Sequence, residues 1–324
     1  MVESRYSVRP LAFNDISTYP LGDRKSKVNT ALFGKPASQS DTVGDFVEKL
    51  PAILAASDLR RLIKALSDAR ADGKSLIWGM GGHVVKCGLG PILIDMMRDG
   101  FVTGIAMNGA TVIHDFEVAL CGSTSEEVEN EIGSGRFGMA RETGEYLNTA
   151  VNDGASEGIG IGESVGRYLS TPDHGVRFDH SDASILAQAY TLRIPVTVHL
   201  AIGTDITHVH PAASGENMGG ATMRDFKLLC AMVKTLAGGV YVNLGSAVIL
   251  PEVFLKAVSV VRNLGTPLRD ITTANLDFIQ HYRPTQNVLK RPTQDGGQSI
   301  ALTGHHEIML PLIAAALKQS TLTP

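Results

Sequence analysis

Cysteine is scarce. Cys87, Cys121 and Cys230 are the only three in 324 residues, they lie far apart, and none forms a CxxC pair. That argues against a disulfide framework or a cysteine-built zinc site and fits free thiols in a reducing cytoplasm. Also missing is any apolar run near the ~20 residues that span a bilayer. The amino-terminal MVESRYSVRP has no positive stretch ahead of an apolar one, so no secretory signal is read and a cytoplasmic location is expected. Basic residues are scattered, and the formal charge is −4. Without a dense basic run to track phosphates, neither nucleic acid nor a membrane surface is expected as a partner. A GxGxxG fingerprint following a strand is absent too.

What is present is glycine, 34 residues of it, with 44% hydrophobic residues. Short apolar runs without polar alternation occur at 75–80, 103–107, 195–200, 239–244, 270–276 and 299–302. Between them lie stretches of helical period: 88–98, 111–120, 182–192, 221–236 and 251–263, with 307–317 last. Fully apolar strands separated by amphipathic helices predict a doubly wound α/β fold, a mostly parallel sheet with helices on both faces. Residues 1–40, with Pro10, Pro20 and Pro36, read as an extended arm that packs on a neighbour or on the body. Residues 41–324 read as one α/β domain with a helical and loop insertion around 123–177. Within that insertion Gly158–Gly166 follows no strand and is expected to be a loop.

In such a sheet ligands sit beyond the carboxyl ends of the strands, and polar residues collect there. Gly81-Gly82-His83 with Lys86 would let an anion such as phosphate approach free amides at a helix start. Asn108-Gly109-Ala110-Thr111, then His114-Asp115, offers hydrogen bonds to a sugar, Asp115 as acceptor from a ribose hydroxyl. A histidine group, His199, Asp205, His208 and His210, and a second, His305-His306-Glu307, suit acid–base work, carboxylate binding or a metal. If the two loops are neighbours, His208, His210, His305, His306 and Glu307 would hold a divalent metal such as zinc. The rigid stretch His281–Pro292 carries Arg283 and Lys290, each able to bind an anionic group, and Lys290 is a nucleophile if buried.

The order of these pieces resembles the deoxyhypusine synthase family. Ile77–Leu89 resembles its first nucleotide-contacting turn, and Val102–Asp115 is closer, a strand followed by an Asn-Gly turn and a His-Asp pair. Ser184–Val196, Gly239–Ser246, Thr272-Thr273-Ala274 and Leu310-Pro311-Leu312 continue it, in order, over about residues 45–317. The resemblance implies a homotetramer with active sites at subunit interfaces. It also implies NAD-dependent aminobutyl transfer from spermidine through an imine on a lysine. On that template Gly81, Gly82, His83, Lys86, Asn108, Gly109, Asp115, Asp205, Gly245, Ser246 and Thr273 would line the NAD crevice. Lys290, His306 and Glu307 would do the chemistry, and His208, His210, Arg283 and His305 would meet the substrate.

The departures matter. The family's spermidine-contacting histidine after the fourth strand is replaced here by Ala247 to Pro251, and its serine-tryptophan-glycine-lysine segment by Gln286 to Lys290. Most polyamine-binding carboxylates are missing, and cations need paired charges when buried. The expectation is therefore transferase-like NAD chemistry on a small molecule other than spermidine, and against true deoxyhypusine synthase activity. A metal-dependent enzyme and a non-catalytic ligand-binding relative are the alternatives.

Overall fold

The computed structural model describes residues 5–171 and 175–320. Six strands form: β1 (Leu76–Met80), β2 (Gly104–Asn108), β3 (Val196–His199), β4 (Val240–Leu244), β5 (Thr272–Asp277) and β6 (Gln298–Thr303). All pairings are parallel, in the order β3-β2-β1-β4-β5-β6. The apolar runs predicted each strand to within two residues because both faces of strands β1 to β5 are covered. Every residue of β1, β4 and β5 is buried. Only β6 alternates, with Ile300 and Leu302 buried between exposed neighbours.

Two cores follow from the pleat. Trp78, Met80, Leu244 and Ile300 point into one, with Leu62 and Leu66 of the Leu54–Ala71 helix. Ile77 and Tyr241 point into the other, under Phe254 of the Ile249–Asn263 helix. Tyr241 stacks flat on Phe254 with centroids 3.7 Å apart, and its hydroxyl fits because position 79 is glycine: a Cβ there would meet the oxygen within 2.3 Å. Helix starts carry their caps. The side chains of Asn108, Ser184 and Ser214 accept from backbone N–H groups three residues on.

The edge at β3 is plugged from the side. The Gly215–Lys234 helix packs its buried stripe, Met218, Ala221, Leu229 and Val233, on the sheet. Asp225 sits in the middle of that stripe and accepts from the backbone N–H of Val198 (2.9 Å) and of Gly162 (3.1 Å). Thr222 Oγ1 accepts from the N–H of Leu200 and donates to the carbonyl of Val198. The Gly162 bond belongs to an unexpected element. Gly158–Gly166 is not a loop. Gly158 ends the Arg141–Glu157 helix in the left-handed conformation, and Gly160 opens the Ile161–Ser170 helix. Glycine serves here for close approach, since a Cβ on Gly162 would strike the carbonyl of Val196.

Residues 5–40 bear two short 3₁₀ turns, Leu21–Asp23 and Thr30–Leu32, and Tyr6, Leu11, Phe13 and Tyr19 stand exposed. Hydrogen bonds from Lys35 N to Lys49 O and from Ala52 N to Leu32 O tie the end of this stretch to the body. Among the described residues no helix is long and apolar enough to cross a membrane.

Candidate functional site

The strand order reverses direction between β1 and β4, and the chain leaves those two strands on opposite sides. That divergence opens a crevice beyond their carboxyl ends. Its floor is backbone. Gly81 N donates to Leu244 O and Gly245 N to Leu276 O, both at 3.0 Å. A Cβ on Gly81 would lie 2.3 Å from Gly245 O, so the two turns touch main chain to main chain. Gly245 takes φ +66°, where a side chain would also run into the ring of His306.

One side of the crevice is aromatic. His83, at the start of the His83–Lys86 turn, lies with its ring centroid 5.7 Å from His306 and 6.2 Å from Phe278. His306 is buried, and its Nε2 is 3.2 Å from Leu276 O. A carbonyl only accepts, so Nε2 holds the proton and Nδ1 is left as an acceptor. That Nδ1 is shut from solvent and has no partner among the described residues. Glu307 opens the last helix and meets the Cys87 thiol at 3.6 Å. Burial and then the Glu307 carboxylate push that thiol up, which suits a resting thiol rather than a nucleophile. His305 is exposed.

A chain of amides holds the β4 turn in place. Gln280 Nε2 donates to Leu302 O, Asn275 Nδ2 to Gln280 Oε1, and Asn243 Nδ2 to Asn275 Oδ1 and to Ser246 O. Both ends of the chain are carbonyls, so the orientation of every amide is determined. Ser246 Oγ in turn accepts from Leu250 N, fixing the start of the Ile249–Asn263 helix.

The other side is acidic. Asp205 lies against the amino end of the Gly109–Cys121 helix, where a Cβ on Gly109 would collide with its Oδ2. A cavity of about 160 Å³ opens beside it, lined by Lys86, His114, Glu117, Thr204 and Asp205. Burial raises the Asp205 carboxyl, against the nearby His208 and His114. Burial would raise Glu117 too, but hydrogen bonds from His114, Thr124 and Thr143 outweigh it and hold that group below its usual range. His114 Nδ1 lies 2.8 Å from Thr124 Oγ1. Two partly buried carboxylates of opposite tendency thus face one chamber, a sequence signal hidden because Glu117 lies two turns inside its helix.

Several expected site residues stand elsewhere. Asp115 is not turned toward a ribose. It is buried and accepts from Ser184 Oγ and from the N–H groups of Ile185 and Leu186, capping the Ile185–Thr191 helix. Asn108 Oδ1 is engaged by Thr111. Thr273 is in the first half of β5, about 13 Å of strand before its carboxyl end. Lys290 is exposed at the end of the π-helical Thr285–Lys290, which runs back toward the amino ends of the strands, and Arg283 faces Glu252 at 3.6 Å.

The two histidine groups do not meet. One follows β3 and the other follows β6, the opposite edges of the sheet, so about five strand spacings, ~24 Å, separate them. His208 Nδ1 accepts from the N–H groups of Gly203 and Asp205, and His210 Nδ1 from that of Ala212, so both imidazoles hold their own turns. Among the described residues no three metal-ligating side chains gather as an ion site. The shared zinc site of His208, His210, His305, His306 and Glu307 is thereby corrected.

No family model matches the chain, and no curated protein does. Solved structures do match, at low identity. A protein provisionally assigned as a deoxyhypusine synthase, from Entamoeba histolytica, superposes with a TM-score of 0.53 at 11% identity, over 87% of this chain and 95% of that one. A conserved protein provisionally assigned as LOR/SDH, from Methanococcus maripaludis S2, gives 0.50 at 17% identity, over 82% and 70%. AgrE, solved with ornithine and NAD+, gives 0.50 at 13% identity, and this chain spans only about a third of its length: 82% of this chain, 33% of that one. At such identities the likeness speaks to architecture alone. The chain is a doubly wound α/β protein with an all-parallel sheet, similar in fold to these three.

Proposed function

We propose that this chain is an NAD-linked enzyme acting on a small molecule, with the dinucleotide lying across the β1/β4 crevice. The observation that carries the reading is the backbone contact of Gly81 with Gly245 at the point where the strand order reverses. Side chains are excluded there, as close approach of a pyrophosphate requires. The residues present fit such a group. The Gly81-Gly82 and Gly245-Ser246 turns would hold the phosphates, Asp205 would accept from a ribose hydroxyl, and His83, Phe278 and His306 would flank the reactive ring. When bound, NAD supplies a hydride acceptor.

The chain's own residues supply the rest. His306, held by Leu276 O, leaves its Nδ1 without a partner among the described residues, where it would accept a hydrogen bond from a group that enters beside Gly245. Lys86 lines the acidic chamber and is the amine that would meet substrate, whereas Lys290 lies at the far end of Thr285–Lys290, toward the amino ends of the strands and away from the crevice. The homotetramer and transferase chemistry implied by the family resemblance remain part of this proposal.

Calorimetric titration of NAD into the purified full chain tests it. Saturable binding, one per chain, weakened about tenfold or more by Asp205→Ala and unchanged by Lys290→Ala, is the expected result. No heat at millimolar NAD would overturn the reading.

A further inference from the structure

The two edges of the sheet are treated differently. At β3 the outward backbone groups of Val198 and Leu200 are occupied by Asp225 and Thr222. At β6 nothing comparable exists. Gln298, Ile300, Leu302 and Gly304 face β5. The intervening Ser299, Ala301 and Thr303 turn their N–H and C=O groups outward, and among the described residues none of those groups has a hydrogen-bond partner. All three residues are exposed. Proteins commonly guard such an edge with lysine, proline or a bulge, and Gln298–Thr303 contains none of these.

We infer that β6 is an interface strand, pairing antiparallel with β6 of a second copy of this chain about a two-fold axis at Ala301. Four observations select a second copy. The strand carries no charged residue, so identical strands do not repel. The side chains of Ser299, Ala301 and Thr303, all on one face of the sheet, are small, so directly opposed copies do not crowd one another. Under the two-fold, Ala301 opposes Ala301 and Ser299 opposes Thr303, which satisfies every open group with about six hydrogen bonds. A strand alone falls short of the ~800 Å² per partner of a standard interface. Beside it, however, Phe278, Ile279 and Tyr282 are 49%, 50% and 72% exposed, and they supply apolar area on the segment that follows the neighbouring β5. The plugged β3 edge offers no second strand to pair with, so edge pairing joins two copies in a twelve-stranded sheet rather than a filament, and a tetramer would use other surfaces. Because Phe278 also touches His83 and His306, the second copy would border the crevice mouth. The pairing itself holds whether or not NAD binds there.

Sedimentation velocity of the full chain across micromolar concentrations is the test, read together with hydrogen exchange of the 298–303 segment. A reversible dimer is expected, with the amides of Ser299, Ala301 and Thr303 protected only at concentrations where the dimer forms. Ala301→Pro removes an outward donor and leaves the β5 ladder intact. It should weaken dimerisation about 30-fold, two hydrogen bonds being lost per dimer. Ser299→Lys with Thr303→Lys, which alters only exposed side chains, should do the same if the proline variant fails to fold. A monomer at all concentrations overturns the inference. So does a dimer unaffected by either change, or edge protection independent of concentration.

Discussion

Replacing Asp225 by alanine is expected to cost on the order of 4 kcal/mol of folding stability, more than any surface change in this chain. The carboxylate is buried and accepts from Gly162 N and Val198 N, and from Ile161 N as well. Alanine would leave those donors inside the protein with no acceptor, at ~1–3 kcal/mol each. It would also unplug the β3 edge and the start of the Ile161–Ser170 helix together. Denaturant unfolding of the two proteins measures the difference.

The pH dependence carries a sign. Burial pushes Asp225 up to about 7, against its three backbone hydrogen bonds, and pushes Asp115 up to about 6. Both values lie above the unfolded 3.8, so between about pH 4 and pH 7 the unfolded chain ionises while the native chain keeps its protons. These groups' contribution is fully present below pH 4 and is lost as pH rises through the folded values. In Asp225→Asn the larger part of that slope is absent. The stability of the wild type relative to this variant should therefore decline between about pH 4 and pH 7, by a few kcal/mol at most at ~1.4 per unit, and level off above that. A difference that grows with pH would mean that the three N–H donors outweigh burial and that the group is ionised throughout.

The second large effect is expected from a single methyl group. Gly81→Ala places its Cβ 2.3 Å from Gly245 O and 3.0 Å from Gly245 C. The obstacle is main chain at the head of a strand pair, so no rotamer relieves it, and the β1 and β4 turns must part. Overpacking of this kind costs about 1–3 kcal/mol. If the dinucleotide lies on these turns, its affinity falls by far more than stability does, because the floor of the crevice is what moves. Gly22→Ala is the control, having nothing within 4 Å of the added carbon, and should stay within ~0.5 kcal/mol of wild type. Calorimetry with NAD and thermal melts on both variants separate the two effects. A folded Gly81→Ala protein that binds NAD normally would show that the contact is structural only.

How much of this was legible beforehand differs from residue to residue. Leu76–Met80 or Val240–Leu244 could be read as buried strands because burial on both faces leaves an unbroken apolar run, and Gly81-Gly82 and Gly245 could be read as turns because only glycine tolerates such contacts. Those are local properties, written wherever the side chain itself meets the constraint. Asp225 left a fainter trace, an acid in the apolar stripe of Met218, Ala221, Leu229 and Val233, where burial of a charge calls for specific donors. Asp115 misled in the opposite direction. A polar residue after a strand points to a ligand, yet the donors it meets come from the Ile185–Thr191 helix about seventy residues on.

The sequence by itself determined the parallel α/β layers, the strands and the glycine turns at their ends, because hydrophobic period and backbone sterics act within a few residues. Only the tertiary structure decided the strand order, and through it which loops are neighbours. That order put His208 and His306 at opposite edges and Gly81 against Gly245, and it left β6 open where β3 is plugged. Crossovers of similar length can lead to either side of a strand. The choice between them rests on packing summed over the whole sheet, which no single segment records.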